Sequence, residues 1–323
     1  MSKVMDVTKA INWNKLDDPM DFTVLKRAED NFWLPEKIPI SNDVAKWRTL
    51  PESIKQTMIN VLAGLTLLDT IQYTDGLPAI SDEALTQHEV AVLSQFEYME
   101  AVHARSYSSI FATVCTTMEN ETAFAWSATE PTLVRKAEMI LEAYRGADKY
   151  ERKINSCFLE GFWFYSGFYF PFYMDSRGLP NIANVIKLIH RDEAIHLYYM
   201  GYKYQQMIKD LPQEEKDRLQ DYTYERLSEF YEVEADYARM LYDEHGLTER
   251  VLAFMRYNGN RALRNLGYEP LFPDEICQVD AEILLAMSGD GNHDFFSLAG
   301  RKYLLLDRES STNEDRGLLQ GII

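Results

Sequence analysis

Apolar residues recur at every third or fourth position over most of this 323-residue chain, and the two-residue alternation that marks strands is nearly absent. The spacing predicts long helices over about 52–75, 83–115, 149–174, 181–209 and 213–245, with shorter ones over about 130–145, 248–266 and 273–287. Punctuation agrees: Pro212 stands where a first helical turn tolerates it, and Gly246 follows a long periodic run. Five long helices in one chain imply an all-α helical bundle. No composition break, linker or repeat divides residues 1–290, whereas "RKYLLLDRESSTNEDRGLLQGII", after "HDFFSLAG", has a charged middle and no firm period. The stretch 291–323 therefore reads as a mobile tail.

Four of the long helices carry charged residues on faces that are otherwise apolar. On the first, Met58, Leu62 and Leu65 form a stripe that Asp69 continues. The second carries Glu100 and His103, three apart, so both side chains reach one point beside the helix. Glu97, one turn earlier, suits a solvated face better. On the third, Glu160 heads an aromatic stripe with Phe164 and Phe168, where an ionised carboxylate is costly unless it is paired or binds a cation. A second Glu-x-x-His, Glu193 and His196, lies on the fourth; His190 is six residues from His196 and reads as packing or as support behind the ligands, not as a ligand. Each feature alone is common. Together, one acid on each of two helices and Glu-x-x-His on each of two others are the donor set of a dinuclear carboxylate site in a ferritin-like four-helix core. Two imidazoles and four carboxylates suit iron or manganese better than zinc.

The formal charge of −18, without a basic run, argues against nucleic-acid or anionic-membrane partners. Cys115, Cys157 and Cys277 are far apart and form no Cys-x-x-Cys pair, which suits a reducing cytosol. The N-terminus lacks a signal-peptide core, and "GFWFYSGFYFPFYM" (161–174) is short for a membrane span and follows an acid, so a buried core helix and a cytoplasmic protein are expected. Tyr107 lies one turn past His103 on the same face. Beside an oxygen-activating metal pair, such a phenol is a candidate for one-electron oxidation, with Phe164, Phe168 and Ile189 available to line a dry pocket.

The segments "NFWLPEKIPISND", "LAGLTLLDT", "MEAVHARSYSSIF", "FLEGFWFYSGFY", "RDEAIH", "NLGYEPLFP" and "HDFFS" closely resemble the small, radical-generating subunit of ribonucleotide reductases, and "EAVHARSYSSIF" resembles class Ib in particular. The resemblance spans about residues 11–303. It implies metal ligands at Asp69, Glu100, His103, Glu160, Glu193 and His196, and a radical at Tyr107. It also implies a relay through His103, Asp192 and Trp33 toward Tyr303 on a tail that contacts the large, catalytic subunit. A homodimer holding two manganese or two iron ions per subunit is expected, with no organic cofactor on this chain. An FMN-bearing, flavodoxin-like activase would supply the oxidant for manganese, and the reaction would be reduction of ribonucleoside diphosphates. The chain departs from the pattern at Gly161, where serine is common, at Trp163, at His190, where an aliphatic residue is usual, and in an ending without the acidic-aromatic docking terminus. The rival readings are a ligand-binding dimetal oxidase of the same fold and a metal-storage bundle.

Overall fold

The computed structural model describes residues 9–146 and 148–287. The described residues are helical and contain no strand. The principal helices are α1 (Pro19–Asp30), α2 (Glu52–Ile71), α3 (Gln87–Val114), α4 (Thr117–Ser127), α5 (Pro131–Arg145) and α6 (Lys149–Phe158). They continue with α7 (Tyr165–Asp175), α8 (Pro180–Ile208), α9 (Gln213–Tyr242), α10 (Thr248–Leu266) and α11 (Ala281–Met287). The expected tail, 291–323, and Tyr303 lie outside the described residues.

Local chemistry sets the ends of these helices. Thr86 caps α3 by accepting from the Glu89 amide at 3.0 Å, and Asp148 caps α6 by accepting from Tyr150 N at 2.7 Å. Each supplies an acceptor to a first-turn amide that has no partner within its own helix. The helix α9 ends in a short 3₁₀ turn that Gly246 closes at φ 64°, in the left-handed region glycine enters at least cost. The long α8 is capped from far away: Asp43 accepts from the amides of Asn181 and Ile182 at 2.9 and 2.8 Å.

Two expected helices are interrupted. The one over 52–75 passes from α2 into a π segment, Gln72–Gly76, and the one over 149–174 is α6, a π segment at Leu159–Trp163, and α7. A π turn inserts one residue and shifts every later side chain round the axis, which hydrophobic spacing does not announce. The helix expected over 273–287 is a 3₁₀ turn at Asp274–Ile276 followed by a helix that begins only at Ala281. Two of these principal helices escaped the spacing, although their caps were legible: Asp18-Pro19 opens α1, and Thr116 with Glu119 forms a capping box on α4.

The helix α2 packs on α3 and α7, and α8 packs on α3, α6 and α7, closing a four-helix ring. The remaining helices wrap it: α1 covers α3, α9 packs on α5 and α10, and α11 lies on α7. The aromatic run 161–174 is buried in the core apart from half-buried Tyr173, and no helix among the described residues is long and apolar enough to cross a membrane. The three cysteines are free thiols.

Candidate metal centre

The ring brings together all six side chains singled out by spacing. Asp69 comes from α2, Glu100 and His103 from α3, Glu160 from the π segment between α6 and α7, and Glu193 and His196 from α8. All are buried. They form two quartets, Asp69–Glu100–His103–Glu193 and Glu100–Glu160–Glu193–His196, and within each the donor atoms lie within 4.8 Å of one another. Glu100 and Glu193 belong to both, so the two quartets are joined edge to edge by two shared carboxylates.

Both imidazoles aim Nδ1 into the cluster. His103 Nδ1 is 3.0 Å from Glu193 Oε1 and 3.4 Å from Glu100 Oε2. His196 Nδ1 is 2.8 Å from Glu100 Oε1 and 3.1 Å from Glu193 Oε2. Even so, both oxygens of Asp69 and of Glu100, Glu160 Oε2, Glu193 Oε1 and His103 Nδ1 take part in no properly formed hydrogen bond. So many convergent, dry donors are costly unless a cation draws them together. Burial, and then the charge of Glu100, push the Asp69 carboxyl well above the usual carboxylate range. Burial, then Glu193 and Glu100, do the same to Glu160. Burial opposes charge on His103, but Glu193, Asp192 and Glu100 outweigh it and raise its pKa well above the usual value. Protons and divalent cations thus compete for one donor set, as in metal sites generally. The donors fit a hard or borderline divalent pair bound through oxygen and nitrogen.

The surroundings are equally specific. Asp192 Oδ2 takes two contacts at once: Trp33 Nε1–H donates to it at 2.7 Å, and His103 Nε2 lies 3.2 Å away. The Trp33 and His103 rings are 6.0 Å apart and nearly parallel, at 19°. The carboxylate fixes the ring nitrogen that faces away from the cluster, leaving Nδ1 as the donor. Tyr107 is fully buried, with its hydroxyl beside the Asp69 carboxylate but outside regular hydrogen-bond geometry. Burial, with Asp69 next in weight, pushes that phenol well above its usual range, so it is protonated at any ordinary pH.

Phe164, Phe168 and Ile189 are buried, and the two phenylalanine rings stack 5.7 Å apart. His190 is packing, as its position on the helix suggested: Tyr165, Phe168 and Phe172 meet it edge-on at 5.6–6.0 Å. Burial, with Arg261 adding to it, lowers its pKa to about 3, so the ring is neutral. At Gly161 a Cβ would lie 3.0 Å from both Leu197 methyls and 3.1 Å from Ala262 Cβ, so α8 and α10 close over the position where serine is common. Trp163 packs edge-on against Phe230 at 4.4 Å. Spacing did not single out Gln72, which donates to Glu160 Oε1; no residue pattern marks it.

Fold and cluster together define a ferritin-like bundle built around a dinuclear carboxylate–histidine centre. The family model "Ribonucleotide reductase, small chain" matches residues 10–280. The "Ribonucleoside-diphosphate reductase subunit beta nrdF1" of Mycobacterium tuberculosis is 51% identical over 97% of this chain and 98% of its own. The "Ribonucleoside-diphosphate reductase 2 subunit beta" of Escherichia coli is 49% identical over 95% and 97%. Among solved structures, the dimanganese(II)-NrdF of Streptococcus sanguinis superposes with a TM-score of 0.84 at 45% identity, covering 87% of this chain and 99% of that one. The chain belongs to the ribonucleotide reductase small chain family, on its class Ib (NrdF) branch.

Proposed function

We propose that this chain is the radical-generating beta subunit of a ribonucleoside-diphosphate reductase, acting as a homodimer with a large catalytic subunit. The observation that carries the reading is the pair of four-donor quartets sharing Glu100 and Glu193, with a buried, protonated phenol beside Asp69. Asp69, Glu100, His103, Glu160, Glu193 and His196 would hold two manganese or two iron ions. When bound and met by an oxidant, such a pair supplies the one-electron oxidising power that no side chain has by itself. Tyr107 gives up one electron and its hydroxyl proton. The Asp69 carboxylate lies beside that hydroxyl and is the group placed to take the proton. Buried Phe164, Phe168 and Ile189 would keep water and reductants from the neutral radical. Asp192 holds the His103 and Trp33 nitrogens on one oxygen, and so couples movement of an electron toward Trp33 to a proton that stays local. Tyr303 would continue the path. The FMN-bearing, flavodoxin-like activase belongs to this proposal as the oxidant source for manganese, and the cytoplasm as the compartment.

The cavity beside the cluster, lined by Gln95, Met99, Asp192, Ile195 and His196, has a volume of about 10 Å³. That is room for about one water molecule. The test is electron paramagnetic resonance on metal-depleted protein reloaded with Fe(II) and oxygen, or with Mn(II) and a reduced flavodoxin-like partner. A tyrosyl signal is expected from the native chain and none from Tyr107→Phe, which should still bind the metals. Ribonucleotide reduction retained by Tyr107→Phe would overturn the reading.

A further inference from the structure

The two π segments meet at one carboxylate. Gln72 opens the first and Glu160 sits in the second, and the Gln72 amide donates to Glu160 Oε1. Its carbonyl Oε1 accepts the Tyr144 hydroxyl at 2.6 Å, and Ser156 Oγ lies 3.5 Å from Nε2. All four residues are buried. The amide orientation follows from the partners: a phenol donates to a carbonyl, and only the NH₂ end can face a carboxylate. Gly76 makes room for the arrangement, because a Cβ there would overlap Gln72 Oε1 and come within 2.7 and 2.8 Å of the Tyr144 ring. A rare helix distortion, a glycine and a buried phenol thus converge on one oxygen atom.

The other oxygen, Glu160 Oε2, has no hydrogen bond and is the one turned to the cluster, 3.8 Å from His196 Nδ1. We propose that Gln72, anchored by Tyr144, is a positioning residue that holds Glu160 as a single-oxygen donor to the second quartet. The amide is neutral, so it orients the carboxylate without cancelling the charge a cation needs; a lysine or arginine there would compete with the metal. Glu160 belongs to the second quartet alone, so Gln72 acts on one metal position and leaves the Asp69–His103 position alone.

This inference rests on the dinuclear reading, and a Mn(II) titration of the full chain, followed by electron paramagnetic resonance, separates the two. The native protein should take up two ions per chain with a spin-coupled signal; uptake of no pair would overturn both the dinuclear reading and this one. In Gln72→Leu, one ion should bind as in the native chain, while the second is weakened by about ten- to a hundredfold, in the range for lost partners of metal ligands. The coupled signal should give way to the six-line spectrum of isolated Mn(II). Tyr144→Phe, which keeps the ring and frees the Gln72 carbonyl, should shift the second ion in the same direction by a smaller factor and keeps the test open if Gln72→Leu fails to fold. Two native-affinity ions and a coupled signal in both variants would overturn the proposal. So would equal weakening of both ions, the outcome of a merely structural role.

Discussion

Binding of a metal pair should appear as heat stability in proportion to the quartets that can close. A ligand that binds only the folded chain stabilises it by about 2.7 kcal/mol per site at a free concentration a hundredfold above its Kd. Unfolding entropy near 60 °C is about 2.1 cal/mol/K per residue, so 323 residues give roughly 0.7 kcal/mol/K. Each filled quartet should then raise Tm by about 4 °C, and both by about 8 °C. Membership of the quartets makes the expectation specific. Asp69→Ala removes a donor from the first alone and Glu160→Ala from the second alone, so each should halve the shift. Glu193→Gln alters a donor shared by both and should remove nearly all of it. In metal-free protein the same Glu193→Gln should lower Tm, because, against the effect of burial, His103 and His196 hold the Glu193 carboxyl below its usual range and the variant loses that partner. The assay is calorimetry or dye-monitored melting against chelator, Mn(II) and Ca(II). Calcium should shift Tm less, since it favours all-oxygen cages and each quartet contains an imidazole. No manganese-dependent shift in the native chain, or an undiminished shift in Glu193→Gln, would refute the reasoning.

Other expectations follow from contacts around the site. Asp192→Asn keeps the shape but loses the charge that Trp33 and His103 share; Mn(II) affinity should fall by no more than about a hundredfold, while turnover with the large subunit falls further. Comparable losses in both would place Asp192 in metal binding alone. Away from the metals, Lys136 and Glu234 form a buried pair at 2.6 Å, with Lys136 over the Tyr237 ring at 4.2 Å. Lys136→Met strands the Glu234 charge and should cost about 3–5 kcal/mol in urea unfolding, whereas Lys136→Met with Glu234→Leu should recover most of it. A single-variant cost below about 1 kcal/mol would be inconsistent with a desolvated pair. At α11, hydrogen bonding from Arg177, opposed by burial and joined by Arg250, holds the Glu282 carboxyl below its usual value of 4.5. A depressed carboxyl contributes stability above pH 4.5 that is lost as pH falls through the lower, folded-state value. Hydrogen-exchange protection of α11 should fall across that window, and Glu282→Gln should flatten the dependence.

The sequence by itself determined the donors and the class of fold. A period of 3.6 places residues three apart on one face, so Glu100/His103 and Glu193/His196 were legible as pairs, and an acid heading the stripe of Phe164 and Phe168 was legible as a paid-for burial. The same local rule explains what it missed. The π insertions at Gln72–Gly76 and Leu159–Trp163 are local in position but are held by contacts between helices, and apolar spacing tolerates a one-residue slip without leaving a mark. Asp43 caps α8 across 138 residues of chain, Asp192 reaches Trp33 across 159, and Gln72 meets Glu160 across 88. Each joins groups far apart in the chain that local periodicity does not relate until the helices are packed. Donor identity is a property of short-range periodicity; which oxygen of a carboxylate faces the metal position is a property of the neighbours. Only the tertiary structure brings those neighbours within hydrogen-bond range, and so only it decides how the donors are held.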